Sequence, residues 1–470
     1  MKSELIFVPV PGPTHLVSTI EFAKLLLDRD DQICITILLM KVSLEDISTS
    51  LTDSNPRIQL VRLPQLEPPP ADLLRKSFEA YFTTFVESHV ELVRTIVSEI
   101  VSSRSESDSV RVVGLVVDFF CVSMIDVAKE LDLPSYIFLT TNAGFLSLML
   151  YLPTRHSENS SEFHDSDPEL LISGFVNPVP PRVLLEAVHN KDGGYAAFVK
   201  LAQKFKEAKG IIVNTFTELE PTMLNSFSAS GTGTPSVYPV GPIVQTKGIP
   251  NSDLDRVQCE KMMKWLDGQP DSSVVFLCFG SIGGFGAPQV KELALGLENS
   301  GLRFLWSLRL PRPLNEEPGS GPYTKPEEML PDGFLDRIEG KGLILSGWVP
   351  QMAVLSHKAV GGFVSHCGWN SISESLWCGV PIATWPLYAE QKLNAFIMVK
   401  ELGLAVELRG NRDLVMADEV ERAVRCLMDG DNEVREKVRR MSEMAKNAVM
   451  EGGSSFNSLG LLIKDMTSCV

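Results

Sequence analysis

Short, nearly uninterrupted apolar runs alternate with amphipathic stretches along this chain, and the alternation occurs twice. Leu5–Val10, Ile33–Leu39, Ile58–Leu63, Val112–Val117, Tyr136–Leu139 and Ile211–Val213 make up the first series. Such runs predict strands covered on both faces, the condition of a parallel sheet. Between them, stretches such as Ser18–Leu27 put Ile20, Ala23 and Leu27 on one side of a helix. Around Ser226–Asn251 the texture gives way to Gly, Ser, Thr and Pro, the composition of an inter-domain connection. The alternation then resumes, with strands Val274–Phe279, Phe304–Ser307, Leu343–Leu345, Gly362–Ser365 and Pro381–Thr384 and helices Gln289–Ser300 and Ser371–Trp377. The prediction is an α/β chain of two Rossmann-like domains, residues 1–236 and 258–450. A linker is expected at 237–257, and a last helix in 451–470 that packs back on the first domain. Sheets of this kind bind ligands at the carboxyl ends of their strands, so two facing domains would frame a cleft between them. Pro311–Pro326, rich in Pro, Gly and Glu, is expected to be an exposed loop.

Bulk properties narrow the function. A chain of 470 residues is too long for one core. The net charge of -16 argues against nucleic acid and against insertion at anionic membranes. The eight cysteines form no C-x-x-C pair and several sit in apolar runs, which suits a reducing compartment, and the cytoplasm is expected. Glu4, Pro9 and Pro11 break the only apolar stretch at the N-terminus, unlike a signal peptide. The longest apolar run, Ala143–Leu152, is too short to span a bilayer. There is no Walker A pattern and no G-x-S-x-G, and the first strand runs into Pro-Val-Pro-Gly-Pro-Thr where a dinucleotide enzyme has G-x-G-x-x-G. His366–Cys367 lacks a second ligand pair at zinc spacing, so no metal is expected there.

The densest chemical signal lies between Trp348 and Gln391. Four of the six tryptophans fall there: Trp348, Trp369, Trp377 and Trp385. Trp348 and Trp369 flank Gly or Pro and suit stacking on a base or sugar, whereas Trp377 and Trp385 read as core. Within the stretch, a strand ending at Ser365 turns through His366-Cys367-Gly368-Trp369 into a helix opening near Asn370. Free N–H groups at a helix start bind anions, and His366, Asn370 and Ser371 add side-chain donors, although Asn370 or Ser371 would also serve as a helix cap. Phe279-Gly280-Ser281 forms a second strand-to-turn junction where glycine lets a phosphate approach.

This stretch closely resembles the signature box of plant secondary-product UDP-glycosyltransferases, and looks closest to the flavonoid- and triterpenoid-glucosylating group. The Trp-x-Pro-Gln start, the His-Cys-Gly-Trp-Asn-Ser centre and the Glu-Gln end all stand within its 44 residues. The resemblance implies the GT-B fold and the following roles. Trp348 stacks on uracil, Val349 and Gln351 lie with the nucleotide, and Glu374 bonds the ribose hydroxyls. Ser281, His366, Asn370 and Ser371 hold the diphosphate. Trp369, Glu390 and Gln391 contact the sugar, and Thr140 reaches the sugar or phosphate. Gln at the last position accompanies glucose in such enzymes, which implies UDP-glucose as co-substrate.

The resemblance also implies a catalytic pair, His15 and Asp118, each expected at the carboxyl end of a strand. A neutral imidazole is a suitable base for an acceptor hydroxyl, and a carboxylate behind it fixes the tautomer. Pro13-Thr14 stands where relatives place Gly before the histidine. The expected reaction is inverting transfer of glucose to a small hydrophobic acceptor, by a monomer without cofactor or metal. Of the four Asp-x-Asp triplets, Asp28–Asp30, Asp165–Asp167, Asp253–Asp255 and Asp429–Asp431, none follows a buried strand as a manganese site would require. Glucose-ester formation on a carboxylate is the alternative within the fold, and a non-catalytic binding protein the alternative outside it. The acceptor is expected against loops Leu66–Tyr81 and Gly144–Leu152.

Overall fold

The computed structural model describes residues 2–41, 55–105, 109–228, 233–245, 253–310, 325–347, 349–408 and 414–468. The expectation for Pro311–Pro326 falls almost wholly outside them, and Trp348 and Cys469 lie outside them too. The chain divides into two compact units, residues 1–244 with 447–470, and residues 245–446.

The first unit is built on a seven-stranded sheet in the order β3-β2-β1-β4-β5-β6-β7. Its strands are β1 (Lys2–Val8), β2 (Ile33–Leu39), β3 (Ile58–Arg62), β4 (Val110–Asp118), β5 (Ser135–Leu139), β6 (Gly210–Val213) and β7 (Ser236–Pro239). All pairings are parallel. β1, β4, β5 and β6 are almost wholly buried, as their unbroken apolar sequences require. Phe7, Phe22, Phe138 and Tyr136 fill one core, where Phe22 stacks on Phe138 at 4.8 Å. The last helix, Ser454–Thr467, adds Leu462, Ile463 and Met466 to that core. Tyr136 donates its hydroxyl to Asp465 at 2.9 Å, and Ser455 donates to the Gly241 carbonyl.

Three stretches differ from expectation here. Leu66–Tyr81 is not one loop but holds helix Ala71–Lys76 and the start of helix Phe78–Ser88, whose N-cap is Ser77. The stretch 237–257 holds most of β7 and the start of helix Asp253–Asp267. Val237 and Tyr238 pair with Ile211 and Ile212, a short edge strand whose Gly and Pro neighbours mimic a linker. Gly144–Leu152 is not a loop but the largely buried body of helix Ala143–Glu158, whose start is capped by Asn142 and by Glu220 accepting from the Ala143 and Gly144 amides.

The second unit repeats the plan with six strands in the order β10-β9-β8-β11-β12-β13, again all parallel. These are β8 (Val274–Cys278), β9 (Arg303–Leu308), β10 (Gly342–Ser346), β11 (Val360–Ser365), β12 (Ile382–Thr384) and β13 (Ala405–Glu407). Trp306, Phe304, Phe334 and Trp385 lie in its core. In each sheet the first strand in sequence has its successor on one side and a later strand on the other. Strand order therefore reverses between β1 and β4, and between β8 and β11. Such switch points leave a crevice at the strand ends where ligands of doubly wound sheets bind.

Candidate active site

His15 and Asp118 meet at the first switch point. The helix after β1 starts at Pro13, earlier than its apolar periodicity suggests, because proline suits the first helical position. That start places His15 in the first turn. Asp118 is the last residue of β4, and its side chain is fully buried. Its Oδ1 accepts from the Phe120 amide at 3.0 Å and its Oδ2 lies 2.7 Å from His15 Nδ1. A carboxylate there assigns the proton to Nδ1 and makes Nε2 the basic nitrogen. The His15 side chain is 24% exposed, so the dyad joins a buried anion to an accessible imidazole. Thr140, after β5, brings its hydroxyl to 3.5 Å from His15 Nδ1.

Aromatic rings surround this pair. The centroids of Phe119 and Phe120 lie 5.9 and 6.2 Å from that of His15. Phe120 meets Phe82 edge-on at 5.6 Å, and Phe82 stacks on the exposed Phe78 at 5.4 Å. Phe145, within the stretch expected as a loop, meets Phe119 at 5.4 Å. Sequence reasoning missed this wall because its rings come from separate elements. Phe119-Phe120 directly after Asp118 was the available signal.

The second unit gathers the other candidates at its own switch point. Ser281 follows β8, and His366 follows β11, the neighbouring strand. His366 is buried, and burial holds its pKa down at about 4, so the ring is neutral at physiological pH. It lies between two glycines. A Cβ on Gly280 would come within 2.7 Å of its Nε2, and one on Gly368 within 2.6 Å. Both positions must lack a side chain for the ring to stay where it is. Cys367 beside it takes a left-handed φ of 64°, a strained conformation of a kind that concentrates at functional sites. The following helix runs Trp369–Cys378 with Gly368 as its N-cap, so neither Asn370 nor Ser371 serves as the cap residue. Trp369 and Ser371 are buried.

One hydrogen-bond relay links the box's beginning to its middle. Gln351 Nε2 donates to Ser371 Oγ at 2.9 Å and to Glu374 Oε2 at 2.7 Å. Burial raises the Glu374 pKa to about 7 despite the Gln351 bond, which lowers it. Val349 is buried beside this relay in sequence. At the far end, Gln391 Oε1 accepts from the Leu387 and Tyr388 amides at 2.9 and 3.0 Å. Its oxygen is thus engaged, and its side chain also bonds the Tyr388 hydroxyl. Asn394 donates to the Cys367 carbonyl at 3.0 Å and to Glu390 at 3.3 Å, tying the end of the box to its central turn. Trp385 packs against Phe279 and Phe285, a core role.

Among the described residues no helix is long and apolar enough to cross a membrane. The seven described cysteines are all free thiols.

A two-unit α/β protein with polar groups gathered at one switch point and a histidine–carboxylate pair at the other has the arrangement of nucleotide-sugar enzymes with GT-B fold. The comparisons place it within that class. Residues 235–452 match the model of the UDP-glucoronosyl and UDP-glucosyl transferase family. UDP-glycosyltransferase 71K1 of Malus domestica is 53% identical, with 99% of each chain covered. Flavonol 3-O-glucosyltransferase UGT71C4 of Arabidopsis thaliana is 49% identical over 100% of this chain and 99% of its own. The crystal structure of Medicago truncatula UGT71G1 complexed with UDP-glucose superposes with a TM-score of 0.90 at 50% identity, covering 99% of this chain and 98% of that one. The chain belongs to the UDP-glycosyltransferase family, in its plant branch, and is an enzyme of that kind.

Proposed function

We propose that this enzyme transfers glucose from UDP-glucose to a hydroxyl of a small hydrophobic plant metabolite, phenolic, flavonoid or triterpenoid, with inversion and without a metal. The observation that carries the reading is the 2.7 Å pair of His15 and buried Asp118 within an aromatic wall. A neutral alcohol or phenol needs a base, which a carboxylate acceptor would not, so the dyad favours glucoside over ester formation. His15 Nε2 takes the acceptor proton while Asp118 stabilises the imidazolium. The acceptor oxygen attacks the anomeric carbon as the bond to UDP breaks on the opposite face. One displacement converts the α-linked donor into a β-glucoside and UDP.

In the second unit, Trp348, Val349 and Gln351 hold uridine, and Glu374 accepts from the ribose hydroxyls. Ser281, His366, Asn370 and Ser371 donate to the diphosphate, with the positive end of helix Trp369–Cys378 behind them. Trp369, Glu390, Gln391 and Thr140 contact the sugar. The NH2 of Gln391 donates to a glucose hydroxyl, since its oxygen already accepts two amides. The solved relative with UDP-glucose and the flavonol glucosyltransferase support both the donor and the acceptor class.

The test is release of UDP, matched by glucoside, on mixing EDTA-treated enzyme with UDP-glucose and a panel of phenolic and triterpenoid alcohols. Transfer from UDP-galactose in preference, or activity restored only by Mg²⁺ or Mn²⁺, would overturn the donor and metal readings respectively.

A further inference from the structure

The leaving group of this reaction is a diphosphate, and the donors so far assigned to it carry no full positive charge. His366 is neutral because of its burial. The helix beginning at Trp369 contributes about half a unit of charge. A chain of net charge -16 adds a repulsive background. The same corner of the sheet nonetheless holds a cation. Arg309 follows β9 directly, and β9 is the neighbour of β8 on the side opposite β11. It therefore stands at the carboxyl ends of the strands, with Ser281 after the adjacent one.

Two features set Arg309 apart from a surface arginine. Its Nη1 donates to the Ser281 carbonyl at 2.9 Å, so the guanidinium is fastened to the turn that carries Ser281. Its Nε is buried without a hydrogen-bond partner, and among the described residues the side chain makes no ion pair. A half-buried guanidinium with no carboxylate paired to it among the described residues keeps its charge unneutralised there, an arrangement that costs stability unless an anion uses it. Its field reaches the groups around the site: it acts on the Cys278 thiol before the turn and on the Tyr388 hydroxyl, whose ring lies 6.3 Å from that of His366.

We propose that Arg309 is the cation of the donor site: bonded to the Ser281 turn, it holds that turn in place and sets a full positive charge beside the diphosphate, favouring UDP as it departs. This rests on the assignment of Ser281 and His366 to the diphosphate. The role is one of positioning and electrostatics, exerted through the Ser281 turn. Because the charge acts on phosphate and not on the base or ribose, its removal must discriminate between UDP and uridine.

The experiment measures competitive inhibition by UDP and by uridine against UDP-glucose, with kcat, for the full-length wild type, Arg309→Gln and Arg309→Lys. The expected result for Arg309→Gln is a rise of about tenfold or more in the UDP inhibition constant and a fall of roughly 10- to 100-fold in kcat, with uridine inhibition unchanged. Arg309→Lys keeps the charge and is expected to keep the preference for UDP over uridine within about threefold of wild type. Equal weakening of UDP and uridine, or wild-type behaviour of Arg309→Gln, overturns the proposal. If the Gln variant does not fold, loss of the UDP preference in a folded Lys variant overturns it as well, and retention supports it. A wild type that UDP does not inhibit would instead sink the donor-site assignment itself, a failure distinct from that of Arg309.

Discussion

The two units share one strand plan and differ in what stands at the strand ends. At the β1/β4 switch point a buried carboxylate orients an accessible imidazole, walled by phenylalanine rings. At the β8/β11 switch point the imidazole is buried, neutral and clamped between two glycines. In the proposed reaction the first histidine accepts a proton, and the second, kept neutral by its burial, does not. The two rings thus differ in the burial each receives and in what lies behind it.

The sharpest break in that comparison is expected on the proton side. His15→Ala should lower kcat toward alcohols by roughly 10²–10⁴ and leave inhibition by UDP unchanged. Asp118→Asn should lower kcat as well, with thermal unfolding near wild type. A fall in UDP affinity equal to the fall in kcat would erase the division. On the other side, Gly368→Ala brings a Cβ within 2.6 Å of His366 Nε2 and should weaken UDP binding by about 10- to 100-fold, the value of a hydrogen bond to a charged group. Unchanged binding, measured by calorimetry, would show that His366 is not a phosphate donor.

A smaller effect is expected at Glu374. Glu374→Gln should weaken UDP binding by about tenfold while kcat at saturating donor holds. The least is in the pH dependence of stability without ligand. Burial raises Glu374 from 4.5 to about 7, so its contribution is present below 4.5 and lost as pH rises toward 7. Burial lowers His366 from 6.5 to about 4, so its contribution is present above 6.5 and lost as pH falls toward 4. Between about 4.5 and 6.5 the two slopes oppose each other, and from 6.5 to 7 the loss from Glu374 stands alone. Glu374→Gln should remove the decline and leave stability rising with pH up to 6.5, as read from unfolding midpoints. A wild-type profile in that variant would contradict the Glu374 shift.

The difference between the units also explains how much of each was legible in the sequence. The groups proposed for the donor site from Val349 to Gln391 lie in one continuous stretch, because a strand, a turn and a helix deliver most of them together. Arg309 escaped notice since nothing in the order of residues shows that β9 lies beside β8. His15 and Asp118 are 103 residues apart, and only the resemblance paired them before the sheet order did. The buried strands were readable from their apolar runs. β7 and β13 were not, being edge strands of four and three residues with little to distinguish them from loops.

A single displacement is tested most directly by the anomeric configuration of the product. The wild type, after EDTA treatment, is incubated with UDP-glucose and a phenolic acceptor, and the product's anomeric proton is followed by NMR from the first turnovers. The expected result is a β-glucoside formed in step with UDP. An α-glucoside, or free glucose released with UDP while the acceptor stays unmodified, would contradict a direct attack assisted by His15.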